Sequence, residues 1–217
     1  MKRITLSALL MTLFLLMSCN NSGTSPKDGQ AAKSDGTVID LATITKNITD
    51  AVAFAKSVKE VHTLVKSIDE LAKAIGKKIK NDDDGFDTES NKNGSLLAGT
   101  LQLIFAVETK LEALAKIVGI SNELKGKITA AKTENTALIA KLKGEDANLG
   151  KDGATDEHAK EAMDKTNKPE GTKGVAELKK LNTAIDALLS AAEAAVTAAI
   201  NALSTPAKSD SAKPSNT

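Results

Sequence analysis

The sequence predicts an all-α protein, an antiparallel bundle of four long helices plus one short helix. Three observations predict this fold class. Apolar residues recur every three to four positions over long stretches, and no segment shows convincing alternation of apolar and polar residues. Polar stretches rich in Gly, Asn and Asp separate the periodic segments. The 217 residues are 41% hydrophobic and 26% charged, which is typical of a globular domain with a real core.

The amino-terminal segment is predicted to be a lipoprotein signal peptide, residues 1–18. Lys2 and Arg3 precede an apolar run over residues 4–16, the order of charge and apolar residues found in secretory signals. The run is shorter than the roughly 20 helical residues that cross a bilayer. It ends in Leu-Met-Ser-Cys at residues 16–19, which resembles a bacterial lipobox.

Cys19 is the single cysteine of the chain, so it cannot form an internal disulfide. The lipobox predicts that its sulfur carries diacylglycerol through a thioether and that its new amino group carries an N-acyl lipid. Each buried methylene contributes about 0.8 kcal/mol, so several acyl chains hold a protein firmly in a membrane. The alternative is a free reactive thiol, but the sequence places no His or Lys close by to activate it.

The mature chain is predicted to have three parts. Residues 19–37 form a lipidated flexible tether, because they are rich in Gly, Ser, Asn and Asp without apolar periodicity. Residues 38–203 form the helical bundle domain, and residues 204–217 form a disordered tail of similar composition.

The first long helix is predicted from an apolar seam with a mean step of about 3.5 residues. The seam runs from Leu41 through Ile75 to Ile79, and Asp40 can cap its start. The polar stretch at residues 81–94 ends the helix, and the sequence leaves open whether a short hairpin forms there.

The second and third helices are bounded by local signals. Ser95 is the predicted cap of the second helix, which should be the most buried, and Gly119 ends it. Ser121 or Asn122 opens the third helix. Lys143-Gly144 closes it with a cation and a C′ glycine.

Residues 145–173 are predicted to be a polar connection that holds one short helix with Thr155 as its cap. The last long helix runs from about residue 174 to residue 203. If the four long helices alternate in direction, both chain termini lie at one membrane-proximal end. The connections at residues 81–94 and 145–173 then lie at the distal tip, and the short link at Gly119 lies near the base.

Composition excludes several classes of function. Lys+Arg number 29 and Asp+Glu 28, and Trp and Tyr are absent. Nucleic-acid binders need a basic face and stacking rings, so we predict no nucleic-acid partner. The sequence has no P-loop, GxSxG or GxGxxG motif. We therefore predict no catalysis and no cofactor apart from the covalent lipid.

No metal site is predicted either. His62 lies on the flank of the first-helix seam, and His158 lies in the short charged helix, where we expect it to be solvated. The acidic run that starts at Asp82 suggests calcium, but an EF-hand needs an acid at position five and Gly at position six. Phe86 and Asp87 occupy those positions, so a solvated acidic turn is favoured.

Lys77, Lys78 and Lys80 are the candidate binding residues for a polyanion. They lie in the stretch GKKIKN, which fits a short heparin-like pattern of clustered lysines. The alternative is structural, because lysines at a helix C-terminus interact favourably with the helix dipole. Three aspartates also follow at once.

Several blocks of sequence resemble one family over nearly the whole length. They are MKRITLSALLMTLFLLMSCNNSG, SIDELAKAIGKKI, GFDTE followed by NGSLLAG, and TDEHAKEAMDKTN leading into TKGVAELKKL. In this order they resemble the borrelial variable small proteins, surface lipoproteins related to outer surface protein C.

The resemblance implies a helical bundle, often homodimeric, anchored to outer-membrane lipid through Cys19 and exposed on the spirochaete surface. It implies contact with host antibody, antigenic variation and immune evasion, and contact with host glycosaminoglycans. A pure antigenic coat and an adhesin are both compatible with it. The alternative from a different class is a periplasm-facing carrier or enzyme lipoprotein that is not exposed at the surface.

Overall fold

The computed structural model describes residues 30–32, 38–81 and 85–203. The predicted signal peptide, Cys19, most of the tether and the carboxyl-terminal tail lie outside the described residues. Six helices and four strands form within the described ranges. They are β1 (Gln30–Ala32), β2 (Val38–Asp40), α1 (Leu41–Ala72), β3 (Lys77–Ile79), β4 (Phe86–Thr88), α2 (Gly94–Ala115), α3 (Asn122–Gly144), α4 (Asp146–Leu149), α5 (Asp156–Met163) and α6 (Val175–Asn201).

The chain divides into two compact units. The described part of the first unit, residues 1–45 and 202–217, contains β1 and β2, which pair antiparallel with Gln30 opposite Asp40. β1 lies within the stretch predicted as tether. Asp40 accepts hydrogen bonds from the backbone N–H (3.0 Å) and the hydroxyl (2.7 Å) of Thr43. The predicted cap at Asp40 is therefore confirmed.

The second unit, Lys46–Asn201, is an antiparallel bundle. α1 and α2 are antiparallel. Gly76, just after α1, donates to Asn93, just before α2 (2.9 Å), and further along both helices Lys110 pairs with Glu60 (2.8 Å). α2 and α3 form a second antiparallel pair, in which Asn135 Nδ2 donates to the carbonyl of Ile104 (3.4 Å).

α6 closes the bundle against both α1 and α3. His62 contacts Asp186 (3.1 Å), and Lys66, one turn further along α1, donates to Asn182, one turn earlier on α6 (3.1 Å). α1 and α6 are therefore antiparallel. The four long helices alternate in direction as predicted, which places the amino-terminal part of α1 and the carboxyl-terminal part of α6 at one end of this unit.

The core is aliphatic and continuous through the four long helices. Full burial of one such side chain contributes about 1.5–3 kcal/mol, so the predicted seams are the main source of stability. α6 is long and apolar enough to cross a membrane by length and composition, but one of its faces packs into this core. Core residues include Val58, Val61, Val65, Ile68, Ile104, Val107, Leu111, Leu114, Ile128, Leu138, Leu178, Leu181, Ile185 and Leu188.

α1 ends earlier than predicted. It stops at Ala72, where the backbone tightens into shorter bonds such as Ala74 N–H to Leu71 C=O (2.9 Å). Gly76 then adopts φ +67°, a conformation that turns the chain out of the helix. Ile79 is 90% exposed on a strand, so its predicted place in the helix seam is wrong.

Three other boundary signals were also tested by the structure. Ser121 caps α3 by accepting from Leu124 N–H (3.2 Å), as predicted. The prediction of Ser95 as a cap is wrong, because α2 starts at Gly94 with Asn93 in the cap position. Gly144 does not end α3 as a C′ residue. It belongs to the helix, and the single-turn helix α4 follows at once, so the connection holds two short helices instead of one.

Candidate functional site at the loop end of the bundle

The two long connections of the bundle meet at one end, which we call the loop end. It consists of residues 73–93, between α1 and α2, and residues 145–174, between α3 and α6. The backbone N–H of Asn93 donates to the carbonyl of Ala154 (3.3 Å), and that of Gly94 donates to Asp152 (3.3 Å). The prediction that both polar connections lie at the same tip is therefore confirmed.

A β-hairpin projects from the first connection. The sequence left open whether a hairpin forms there. β3 and β4 pair antiparallel, with Ile79 opposite Phe86. The chain closes behind them through Glu89 N–H to Gly76 C=O (2.8 Å). All residues of both strands are exposed, whereas Gly76 is buried. The hairpin therefore stands on the bundle without contributing to its core.

The three candidate lysines lie on this hairpin and not at a helix C-terminus, so the helix-dipole interpretation is wrong. Successive side chains in a strand point to opposite faces, which puts Lys77 on the face of Ile79 and Lys78 on the other face. Lys78 lies opposite Asp87 in the register. The structure thus keeps the lysines together in the hairpin, but they do not form one continuous basic face.

Asn93 joins the two connections from a buried position. It is 1% exposed, and its Oδ1 accepts the backbone N–H of Gly76 (2.9 Å). Its Nδ2 donates to the carbonyl of Ala154 (3.0 Å) and to Asp156 Oδ1 (2.8 Å). Because a buried polar group that loses its partner is costly, these bonds fix the base of the hairpin on the second connection.

Asp156 receives these bonds at the first turn of α5. Thr155 caps this helix by accepting from His158 N–H (3.1 Å), as predicted. The backbone N–H of Asn91 and the side chain of Asn93 both donate to the Asp156 carboxylate and hold its pKa below the ordinary value, against a smaller opposing effect of burial. The carboxylate is therefore a charged acceptor that ties the first connection to the start of α5.

Glu145 fixes the second connection where it leaves α3. Lys141 Nζ lies 2.8 Å from its Oε1, and Asn148 Nδ2 lies 3.1 Å from its Oε2. The hydrogen bond from Lys141, followed by that from Asn148, lowers the pKa of Glu145 to about 2. Lys173, 3.6 Å away at the other end of the connection, adds a further positive charge. The connection is thus closed on itself by ion pairs.

The two histidines occupy different environments. His62 lies on the flank of the α1 seam, as predicted, and contacts Asp186 of α6. His158 was expected to be solvated, but it is half-buried, with its Nδ1 shielded and without a hydrogen-bond partner in the described part of the chain. Within the same residues, no group of three His, Cys, Asp or Glu side chains could hold a metal ion.

Sequence reasoning missed Asn91, Asn93, Asp156 and Glu145 as the residues that shape the loop end. The partners of Asn91, Asn93 and Asp156 are distant in sequence, so no local spacing identifies them, whereas Lys141 and Glu145 have the i, i+4 spacing of a helical ion pair. A second signal was also present: Asn93 begins the block NGSLLAG, and Asp156 lies in TDEHAKEAMDKTN, two of the blocks that carried the family resemblance.

A family profile described as "Lipoprotein" matches residues 38–209. The chain belongs to this lipoprotein family.

Individual relatives narrow the assignment of the chain within this family. Variable small protein 11 of Borrelia hermsii is 49% identical over 210 residues, which cover 95% of this chain and 100% of that protein. Outer surface protein C of Borreliella burgdorferi is 47% identical over 217 residues, covering 98% and 99%. The solved structure of Variable Small Protein 1 of Borrelia turicatae is 63% identical, with a TM-score of 0.72, and covers 76% of this chain and 99% of its own.

These similarities confirm the resemblance drawn from the sequence blocks and the all-α fold class. They place the chain among the borrelial surface lipoproteins, which are not enzymes. The predicted lack of catalysis is therefore confirmed by the relatives.

Proposed function

We propose that the chain is a lipid-anchored outer-surface antigen of a spirochaete that takes part in antigenic variation and immune evasion. One observation carries this proposal: within the bundle unit, which begins at Lys46, the alternating helices put the amino-terminal part of α1 and the end of α6 on one side and the loop end on the other. Since the lipid on Cys19 enters from the amino terminus, the loop end is the part offered to host antibody.

The hairpin is suited to sequence variation because its residues contribute little to stability. Substitutions at exposed positions usually change the free energy of unfolding by less than about 0.5 kcal/mol. Phe86 is 55% exposed and Ile79 is 90% exposed, so even the large apolar residues of the hairpin are replaceable. The same residues would meet an antibody first, and their replacement would change recognition without unfolding the bundle.

Lipid attachment at Cys19 and surface exposure are tested together by proteolysis of intact cells. We expect protease to remove the protein from intact cells, and radiolabelled palmitate to enter the protein but not the Cys19→Ala variant. Resistance of the lipidated protein until the cells are lysed would instead support the periplasm-facing carrier lipoprotein.

The hairpin lysines are the proposed contact for a host glycosaminoglycan. Lys77, Lys78 and Lys80 are exposed, but Asp87 and Glu89 stand beside them, so binding should be weak and strongly sensitive to salt. We expect the triple Ala variant to lose salt-sensitive binding to heparin. A matched triple variant of exposed lysines on α1 and α3 (Lys56, Lys59 and Lys125) should keep it. Equal binding by both variants would end this part of the proposal.

The proposal includes a homodimer, as the sequence resemblance implies. Sedimentation of the purified protein should give twice the chain mass of 22.6 kDa, less the signal peptide. A single species at the monomer mass over micromolar concentrations would contradict it.

A further inference from the structure

A cavity of about 500 Å³ opens at the loop end, among α2, α3, α4 and α5. This volume lies in the range of small-molecule sites, roughly 300–1,000 Å³. Its wall is mostly aliphatic, and it does not include the hairpin. The large apolar residues that line it are Leu97, Leu101, Leu142, Leu149 and Met163.

We call the buried residues that line the cavity its floor; they are Leu97, Thr100, Leu149, Ala162 and Met163. Thr100 is the polar residue there, and its hydroxyl already donates to the carbonyl of Leu96 (2.9 Å) and approaches the sulfur of Met163 (3.6 Å). Both Thr100 and Met163 are buried. A ligand in this cavity would therefore place an apolar portion against the floor, because a polar portion would lose its hydrogen bonds to water.

The rim, in contrast, is charged, and two lysines, Lys143 and Lys151, and two aspartates, Asp146 and Asp152, line it. Lys143 and Lys151 have no carboxylate partner within the described ranges, although Lys143 Nζ lies 5.1 Å from the centre of the Phe105 ring. Asp152 is neutralised by Lys92 (3.2 Å), which leaves Asp146 as the rim carboxylate without a lysine. Two unpaired lysines against one unpaired carboxylate favour an anionic group at the entrance.

We propose that this cavity is a binding site for a single-chain fatty acid. The acyl chain would lie along Leu97, Leu101 and Met163, and the carboxylate would pair with Lys143 and Lys151 at the rim. Charge decides between amphipaths of the same chain length, because the rim attracts an anionic head and repels a cationic one. Binding of a ligand to this cavity does not depend on surface display, and it is measured on purified protein.

The chain provides a direct probe for this site. Its methionines are Met1, Met11, Met17 and Met163, so Met163 is the only one after residue 18. A ¹³C-methyl-methionine label therefore gives one NMR signal from the cavity wall. The chain from residue 19 onward, the predicted mature form without its lipid, serves for this experiment.

Decanoate is the probe ligand, added below its micelle-forming concentration. We expect a saturable shift of the Met163 methyl signal, and about tenfold weaker binding by the Lys143→Ala/Lys151→Ala variant, since a charged hydrogen-bonded contact contributes to that extent. The Lys56→Ala/Lys125→Ala variant should bind as the parent does. Both pairs of lysines are exposed, so neither pair of substitutions should prevent folding.

Two further ligands test whether binding requires an anionic head group and a long acyl chain. Decyltrimethylammonium should bind more weakly than decanoate, and acetate should leave the signal unchanged. An unsaturable shift, an equal shift with the cationic amphipath, or unchanged decanoate binding after removal of both rim lysines would overturn the proposal.

Discussion

Asn91 and Asp156 hydrogen-bond to each other reciprocally across 65 residues of sequence. The backbone N–H of Asn91 donates to Asp156 Oδ1 (2.8 Å), and the backbone N–H of Asp156 donates to Asn91 Oδ1 (3.1 Å). Asn91 adopts φ +61° to make this pair, a left-handed conformation that Asn tolerates better than most residues. The pair joins the two connections of the loop end directly beside the buried side chain of Asn93.

Replacement of Asn93 should destabilise the bundle more than an ordinary polar substitution. The Asn93→Ala variant leaves the Gly76 N–H without its acceptor and removes a donor from Asp156. We expect a loss of about 2–4 kcal/mol in the free energy of unfolding, measured by chemical denaturation. Asn122→Ala is the control, because Asn122 is exposed in the first turn of α3. A loss for Asn93→Ala as small as that for the control would show that this network does not hold the loop end.

We expect a side chain at Gly76 to destabilise the protein, whereas a side chain at a glycine within a helix should be tolerated. At φ +67°, a Cβ on Gly76 would lie 2.8 Å from Asp156 Oδ2, and the left-handed conformation costs a non-glycine residue about 1–2 kcal/mol. We therefore expect Gly76→Ala to lower the melting temperature. Gly126 lies within α3 with nothing within 4 Å of an added Cβ, so Gly126→Ala should stabilise by about 0.5–1 kcal/mol. A destabilising effect of Gly76→Ala together with a stabilising effect of Gly126→Ala would support the turn at Gly76. A stabilising effect of Gly76→Ala would contradict it.

Glu145 should make the bundle sensitive to acid. Its pKa falls from an ordinary 4.5 to about 2 in the folded protein, so its contribution is complete above pH 4.5 and is lost as the pH falls towards 2. The stability difference between the parent and Glu145→Gln should therefore be largest near neutral pH and shrink over this window. Denaturation curves at several pH values measure it.

The control for this titration is Glu193→Gln. Glu193 is exposed on α6 and has no lysine partner in the described residues. This variant removes one carboxylate that makes no contact with a lysine in the part of the chain that the structure describes. A pH-independent difference between the parent and Glu145→Gln would mean that the Lys141 and Asn148 contacts do not form in solution.

Sequence reasoning succeeded where the physical cause is local. The seam from Val58 to Ile68 repeats at helical spacing, and the caps at Asp40, Ser121 and Thr155 each act on the backbone N–H three residues further along. Such signals are contained in a short window of sequence, so the bundle and its alternating helices were predictable.

Sequence reasoning failed where a distant residue decides the local conformation. The apolar spacing continues through Ile75 and Ile79, yet Asn93 holds Gly76 in a turn and the helix stops at Ala72. Asn93 is likewise occupied with Gly76 and Ala154 and makes no side-chain cap on α2. The cavity beside α4 depends on how four helices meet, which no single segment encodes.

In the proposed orientation the loop end faces away from the membrane on intact cells, and cysteine labelling measures this orientation. If Cys19 is consumed by lipid, the mature chain has no other thiol, so one new cysteine reports one position. Phe86→Cys lies on the hairpin, and Ala198→Cys lies near the end of α6; both positions are exposed. We predict that a bulky membrane-impermeant maleimide labels Phe86→Cys rapidly on intact cells and labels Ala198→Cys more slowly. Faster labelling at residue 198, or no labelling of either variant before lysis, would rule out this orientation.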